Sequence, residues 1–213
     1  MAPGDGVGGQ NRNEPQTPSP LGHGGRIMIL LVNACVKKNS RTKRIADNLI
    51  EKLSKKTSEE ILEVKLENIS FPKTDEKFLA YRDDCIARGD FSDVYFNLAK
   101  TFAKADTIVI AAPYYDLSFP ASLKQYVEHI NVLGITFEYT DEGYPKSLCN
   151  AHKLYYVTTA GGCFVPEEFG YGYIKTLAQN FYGIQDCEKI QAVGLDVVGA
   201  DVESIVNGCI YNI

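Results

Sequence analysis

Residues 27–50 read IMILLVNACVKKNSRTKRIADNLI: an apolar run, a polar loop, then a helix-period pattern. Residues 27–32 are all apolar, as in a strand buried on both faces. Ser40 stands where a helix N-cap belongs, and Ile45, Leu49, Ile50 and Leu53 recur at helical spacing. A buried strand running into a capped helix is the opening of a βαβ unit. Between the two lies a concentration of charge, five cations among residues 37–44, in a chain whose net charge is −5. Those cations serve either nucleic acid or one small anion.

The same alternation continues outward. Leu62, Val64 and Leu66 alternate with Glu63, Lys65 and Glu67, which suits a half-solvated edge strand. Residues 107–112 (TIVIAA) are apolar throughout and suit the centre of a sheet. Pro120 opens a helix carrying Leu123, Tyr126, Val127 and Ile130. Residues 154–159 form a fourth strand, 174–181 a helix, 190–198 a fifth strand, and a short helix follows from about Asp201. Residues 70–92 read as a loop with at most one irregular helix, and no internal repeat is visible. Right-handed crossovers between such strands give an α/β three-layer sandwich. Its five-stranded parallel sheet takes the order 2-1-3-4-5, the flavodoxin-like arrangement, with the ligand crevice outside the carboxyl ends of strands 1 and 3. That points to the loops 33–40 and 113–119.

The expected domain is 26–213. Residues 1–25 hold seven glycines, four prolines and almost no large apolar side chain, so they read as a disordered leader or an appended extension, with Met28 a candidate natural start. His23 within it is no ligand candidate. The acidic balance, 27 carboxylates against 22 Lys and Arg, argues against a nucleic-acid partner. No apolar run approaches the roughly 18–20 residues that cross a bilayer, and no secretory leader is read. The six cysteines form no C-x-x-C pair, so no metal site is expected, and in a chain of this size read without a secretory leader no disulfide framework is expected either. The expectation is a cytoplasmic chain with reduced thiols.

In the first loop, Ser40, Arg41 and Thr42 stand at a helix N-terminus, whose unpaired amides and positive dipole end suit a phosphate. Neither G-x-x-x-x-G-K-[ST] nor G-x-G-x-x-G occurs. A site for one terminal phosphate is one reading; a plain helix cap beneath solvated lysines is the other. Lys37, Lys38, Lys43 and Arg44 read as a steering field rather than ligands. In the second loop, AAPYYDLSFPASLKQYVEHI (residues 111–130), Pro113 stops the third strand and an aromatic turn follows, suited to a flat ring.

Three stretches together resemble the FMN-dependent NADH azoreductases and quinone reductases of flavodoxin-like fold, over about residues 27–194. Family members read A-P-M-Y-N-F where this chain has Ala112-Pro113-Tyr114-Tyr115-Asp116-Leu117, and G-V-T-F-x-Y-T-x-x-G where it has GITFEYTDEG (residues 134–143). Thr158-Thr159-Ala160-Gly161-Gly162 looks like their T-S-R-G-G or T-T-G-G loop. The resemblance implies an FMN site. Ser40, Arg41 and Thr42 would hold the phosphate; Pro113, Tyr114, Tyr115, Asp116 and Leu117 would contact the isoalloxazine ring; Thr159, Ala160, Gly161 and Gly162 would hold its pyrimidine side. Phe137 and Tyr139 would help cover a substrate pocket. It further implies an FMN-dependent NAD(P)H oxidoreductase that passes two electrons by a ping-pong route to quinone, azo or similar acceptors. NADH or NADPH would be the donor and a homodimer the assembly. No acid–base side chain is required, though Tyr115 could pass a proton. An electron carrier of the same fold, without substrate turnover of its own, is the alternative.

The sequence departs from the family pattern at Asp116, where the family has Asn, and at Ala160, where azoreductases often have Arg. Phe164 follows the glycine loop where animal-type quinone reductases have a catalytic His. Of the remaining candidates, His129 reads as structural or solvated, His152 has no partner at catalytic spacing, and Cys163 reads as a small buried residue. Asp83-Asp84 resembles an acidic metal pair, but a phosphoreceiver needs acids after strand 1, where Asn33-Ala34-Cys35 stands.

Overall fold

The structure, a computed structural model, describes residues 27–55 and 60–213. The expectation for residues 1–25, His23 included, lies outside the described residues. Strand β1 (Met28–Asn33) leads into helix α1 (Arg41–Ser54) and strand β2 (Glu60–Lys65). Helices α2 (Glu76–Arg88) and α3 (Asn97–Lys104) follow, then β3 (Thr107–Ala111) and α4 (Ala121–Ile130). A hairpin of β4 (Phe137–Tyr139) and β5 (Pro145–Ser147) precedes β6 (Lys153–Thr159), α5 (Tyr171–Asn180), β7 (Asp186–Ala192) and α6 (Val202–Tyr211).

The main sheet is parallel, in the order β2-β1-β3-β6-β7. Counted within that sheet alone the order is 2-1-3-4-5, as the burial patterns of the strands predict. Alternate side chains of the central strands feed two separate cores, because strand side chains alternate across the sheet. Leu30, Val32, Ile108 and Ile110 pack under α3, α4 and α5 with Phe102, Tyr126 and Ile174. Ile29, Leu31 and Val109 pack under α1 and α6 with Ile45, Leu49 and Val206. Each fully buried aliphatic side chain contributes roughly 1.5–3 kcal/mol, so both apolar faces hold the helices that frame the strand ends.

Four stretches differ from the sequence reading. Residues 76–88 form a regular helix, capped by Asp75 Oδ1 on the Phe78 amide (3.0 Å) and ended by left-handed Gly89. Its stripe is weak because only Cys85 is buried, so periodicity hides it. Helix α3 has no counterpart in the reading at all. The last strand ends at Ala192 instead of continuing to Val198, since Gly194 turns the chain at φ +74°. It starts at Asp186, where Lys153 pairs with both Asp186 and Glu188 along the edge (2.9 and 2.8 Å). The β4–β5 hairpin is also unforeseen. Among the described residues no helix is long and apolar enough to cross a membrane.

Candidate functional site

Three loops meet at the carboxyl ends of β1, β3 and β6 around a crevice of about 430 Å³. That lies within the roughly 300–1,000 Å³ of small-molecule sites. The first wall is the N-terminus of α1. Ser40 Oγ accepts the Lys43 amide (3.2 Å) and the Ser40 carbonyl accepts the Arg44 amide, so Ser40 is the cap. No acidic residue of the helix occupies its own first turn, so among the described residues the only carboxylate paired with Arg41 there is Asp196, from the third wall. The loop before it is fastened from beneath: Asn33 Oδ1 accepts the Cys35 amide, and the Ala34 amide donates to Ala111. Burial raises the Cys35 thiol's pKa, against a hydrogen bond with Ser40 that lowers it.

The second wall is the turn after β3. Pro113 is buried, and the Tyr114 amide donates to the Thr159 carbonyl (3.0 Å). Tyr115 and Ser118 exchange both backbone hydrogen bonds, closing a two-residue turn over Asp116 (φ 49°) and Leu117 (φ 66°). Positive φ at both central positions is the mirror-type turn that normally takes Asn and Gly. Tyr114 stands at the wall with its phenol pKa raised by burial and by nearby Glu168.

The third wall is the end of β6 with its glycine loop. The Leu195 amide donates to Ala160, the Asp196 amide to Gly161, and the Gly194 amide to Gly162. The amides of Gly161 and Gly162 themselves meet no protein acceptor among the described residues. A Cβ at Gly161 would lie 2.2 Å from Asp196 Oδ2, so only glycine fits without displacing that carboxylate. Thr42 and Thr159 tie the first wall to the third through a 2.7 Å hydroxyl pair, with Thr42 buried.

Of the residues singled out in the sequence, Ser40, Arg41, Thr42, Pro113, Tyr114, Tyr115, Thr159, Ala160 and Gly161 line this crevice together. Asp116, Leu117 and Gly162 belong to the same loops but do not line it. Leu195 and Asp196 line it unforeseen, because residues 190–198 read as one strand and hide the turn at Gly194.

Phe137 and Tyr139 do not line this crevice within the single chain. Phe137 packs against Phe181 (5.1 Å) and against Tyr139 (5.5 Å). Gly170, at the other end of α5 from Phe181, is the residue whose surroundings include Tyr114. A helix of 10 residues separates the two by about 15 Å, so within one chain the hairpin is remote from the crevice.

The steering field also shrinks. Lys43 pairs with Asp47 and with Glu63 (3.5 Å), and Arg44 with Glu203 (2.9 Å). Lys37, by contrast, lines the crevice. Cys163 is exposed rather than buried, and His129 is buried. Asp83 and Asp84 pair with Arg82 and Arg88.

Residues 28–208 match the family model described as "Flavodoxin-like fold". A curated FMN-dependent NADH:quinone oxidoreductase of Clostridium perfringens is 36% identical over 187 residues, covering 84% of this chain and 91% of that protein. The chain belongs to the flavodoxin-like quinone oxidoreductase family. FMN-dependent NADH:quinone oxidoreductase 2 of Clostridium acetobutylicum, another member, is 39% identical over 194 residues, covering 87% and 94%. Among solved structures, an FMN-dependent NADH-azoreductase from Bacillus anthracis in complex with FMN superposes with a TM-score of 0.73 at 21% identity, covering 87% and 95%. At that identity the likeness is one of fold.

The crevice suits a flavodoxin-like family member's cofactor on its own chemistry. A helix N-terminus with no acid in its own first turn and with Arg41 beside it fits a phosphate, and the unpaired Gly161 amide fits an anionic ring edge.

Proposed function

We propose that this crevice binds FMN and that the chain is an FMN-dependent NAD(P)H oxidoreductase passing two electrons to quinones, azo compounds or similar acceptors. The observation that carries the reading is the convergence of three loops, distant in sequence, on one crevice with a phosphate end and a glycine-amide end. The family's curated members, named for FMN, NADH and quinone, support it.

The α1 N-terminus, with the Ser40 hydroxyl and the Arg41 guanidinium, holds the phosphate by charge-assisted hydrogen bonds. Thr42 acts by tying the helix to Thr159. Pro113, Tyr114 and Tyr115 form the wall against the flat ring, and the tight turn at Asp116 and Leu117 fixes where that wall stands. The backbone amide of Gly161, with Gly162 next to it in the same loop, would hold negative charge at the ring's pyrimidine side. When bound, FMN supplies the two-electron redox chemistry. Donor and acceptor enter the same opening in turn, a ping-pong order. Holding the reacting atoms at contact distance is the protein's main contribution. Solvent, or Tyr115 at the exposed turn, supplies protons.

Under this reading the protein is a cytoplasmic homodimer. A second copy gives the hairpin carrying Phe137 and exposed Tyr139 a crevice to cover, which its own chain's geometry does not. The six reduced cysteines fit that compartment.

The test is to load the protein with FMN anaerobically, add NADH, and follow visible flavin absorbance. Rapid bleaching is expected. Bound flavin that stays oxidised would identify an electron carrier, and a chain that retains no flavin would overturn the reading.

A further inference from the structure

The loops after β1, β6 and β7 leave the same end of a parallel sheet, so they share the rim of the crevice. Large apolar side chains stand out from that rim. Val198 is 100% exposed and Phe164 78%, and Val36 and Val197 are at least half exposed. The rim is one surface because its loops are tied together. The Gly194 amide donates to the Gly162 carbonyl (3.0 Å), and Arg41 meets Asp196 at 3.6 Å. Cys163 Sγ and Val197 Cγ2 lie 3.1 and 3.7 Å from one point, where a side chain on Gly194 would begin. That sets Phe164, the next residue, beside the valine tip.

Backbone geometry holds the tip out. The Ala200 amide donates to the Val197 carbonyl (3.0 Å), and Gly199, at φ +81°, takes the left-handed third position of that turn. Val198 therefore occupies the apex, with no body of protein to fold against. On the same rim, Lys37 and Lys38 are exposed and pair with no carboxylate among the described residues. The carboxylates of the loop after β7 and of the start of α6 are engaged. Asp196 faces Arg41, Glu203 pairs with Arg44 (2.9 Å), and Asp201 caps α6 through the Ser204 amide (3.0 Å). Asp116 and Glu168 belong to the loops that run into α4 and α5, on the other face of the sheet.

Single exposed apolar residues are ordinary, but a cluster of them beside two unpaired cations, at the mouth of a site, marks a surface that meets a partner. Apolar side chains that can enter an acyl layer, next to cations that can meet lipid phosphates, are the two parts of an interfacial anchor. We infer that this rim docks reversibly on an anionic lipid surface. Val198 and Phe164 dip into the bilayer, and Lys37 and Lys38 meet its headgroups. Docked in this way, the crevice opens toward the layer in which long-chain quinones dissolve. The docking stands by itself; that use of it rests on the proposed function. The valine tip and the two lysines lie on loops that run into α6 and α1. They leave the wall after β3, which runs into α4 on the other face of the sheet, to a second copy's hairpin.

The test floats FMN-loaded protein with vesicles of phosphatidylcholine and phosphatidylglycerol in equal parts, and with vesicles of phosphatidylcholine alone. The mixed vesicles should hold the protein at least about tenfold more tightly. Val198→Asp, at a wholly exposed position, should weaken that binding about tenfold or more. Lys38→Gln should weaken it about fivefold and leave binding to phosphatidylcholine alone unchanged. Both variants should turn over a water-soluble quinone as the parent does, while Val198→Asp loses turnover of a long-chain quinone held in the mixed vesicles. No flotation, or flotation indifferent to both substitutions, would overturn the docking. So would a changed oligomeric state of Val198→Asp by light scattering, which would assign the patch to a second copy. Equal turnover of the embedded quinone by parent and variant would overturn the use assigned to the docking. Bound flavin that NADH leaves oxidised would overturn the proposed function instead, and the flotation result would still decide the docking.

Discussion

Asp196 Oδ1 lies 3.6 Å from an Arg41 guanidinium nitrogen at the crevice, so the cation assigned to the phosphate already faces a carboxylate. Both side chains are largely exposed, and such a pair is worth well under about 1 kcal/mol to the fold. Its consequence is for binding, where Asp196 repels an incoming anion. Asp196→Asn is expected to tighten FMN binding by about two- to fivefold at low salt, with the gain fading as salt screens the charge. Flavin-fluorescence titration at two salt concentrations measures it; equal affinities at both would mean that the phosphate lies elsewhere.

Ser40 serves the helix and, in the proposed function, the phosphate, and two substitutions separate those roles. Ser40→Ala removes the cap and should cost about 1 kcal/mol of stability, whereas Ser40→Gly should cost only a few tenths. Both lose the hydroxyl, so both should weaken FMN binding roughly tenfold if it meets a charged oxygen. Thermal melts beside fluorescence titrations read the two effects. Weakened binding in the alanine variant alone would leave Ser40 as a cap and nothing more.

Leu117 holds φ 66° and is less than half exposed, a conformation in which a bulky L-residue is strained by about 1–2 kcal/mol. Leu117→Gly relieves that strain, while its greater unfolded-state freedom offsets part of the gain. A net stabilisation of about 0.5–1 kcal/mol is expected, seen as a melting temperature raised by a few degrees. If strain here fixes the wall at Tyr115, the same variant should be slower in turnover, because the wall becomes mobile.

His129 predicts a pH dependence of stability. Its ordinary pKa is 6.5, and burial, the dominant cause, lowers it in the folded chain. The stabilisation from keeping it neutral is full above 6.5. It is lost as pH falls from there toward the lower folded value, because the unfolded chain takes up a proton that the folded chain refuses. Denaturant melts between about pH 7.5 and pH 5 should show this slope, reduced in His129→Phe. A slope unchanged by that substitution would assign it to other groups.

The layer order was legible because burial is written into strand composition: β1 and β3 are apolar on both faces and β2 is not. Six of the crevice residues, Ser40 to Thr42 and Pro113 to Tyr115, were legible because they sit at or just after the ends of strands 1 and 3, whereas Thr159, Ala160 and Gly161 were legible only through the family's glycine-loop motif. What escaped depends on distance or on backbone state. The Thr42–Thr159 hydroxyl pair joins residues 117 apart, which no local pattern encodes. The left-handed turn at Asp116 and Leu117 contains no glycine to announce it, and Gly194 lies inside a strand-like run whose apolar neighbours conceal the break. Helix α2 escaped for the opposite reason: its signals are a capping Asp75 and a terminal Gly89 around a nearly uniformly solvated body.

The exposure of Cys163 gives the chain a built-in handle. The other five thiols are buried or partly so, and Cys163 sits directly after the glycine pair, 3.1 Å from the point where a side chain on Gly194 would begin. A thiol-reactive dye would therefore attach preferentially where the backbone of residues 160–162 is stitched to 194–196. Its emission would watch that seam tighten or loosen as ligands come and go, without any engineered mutation.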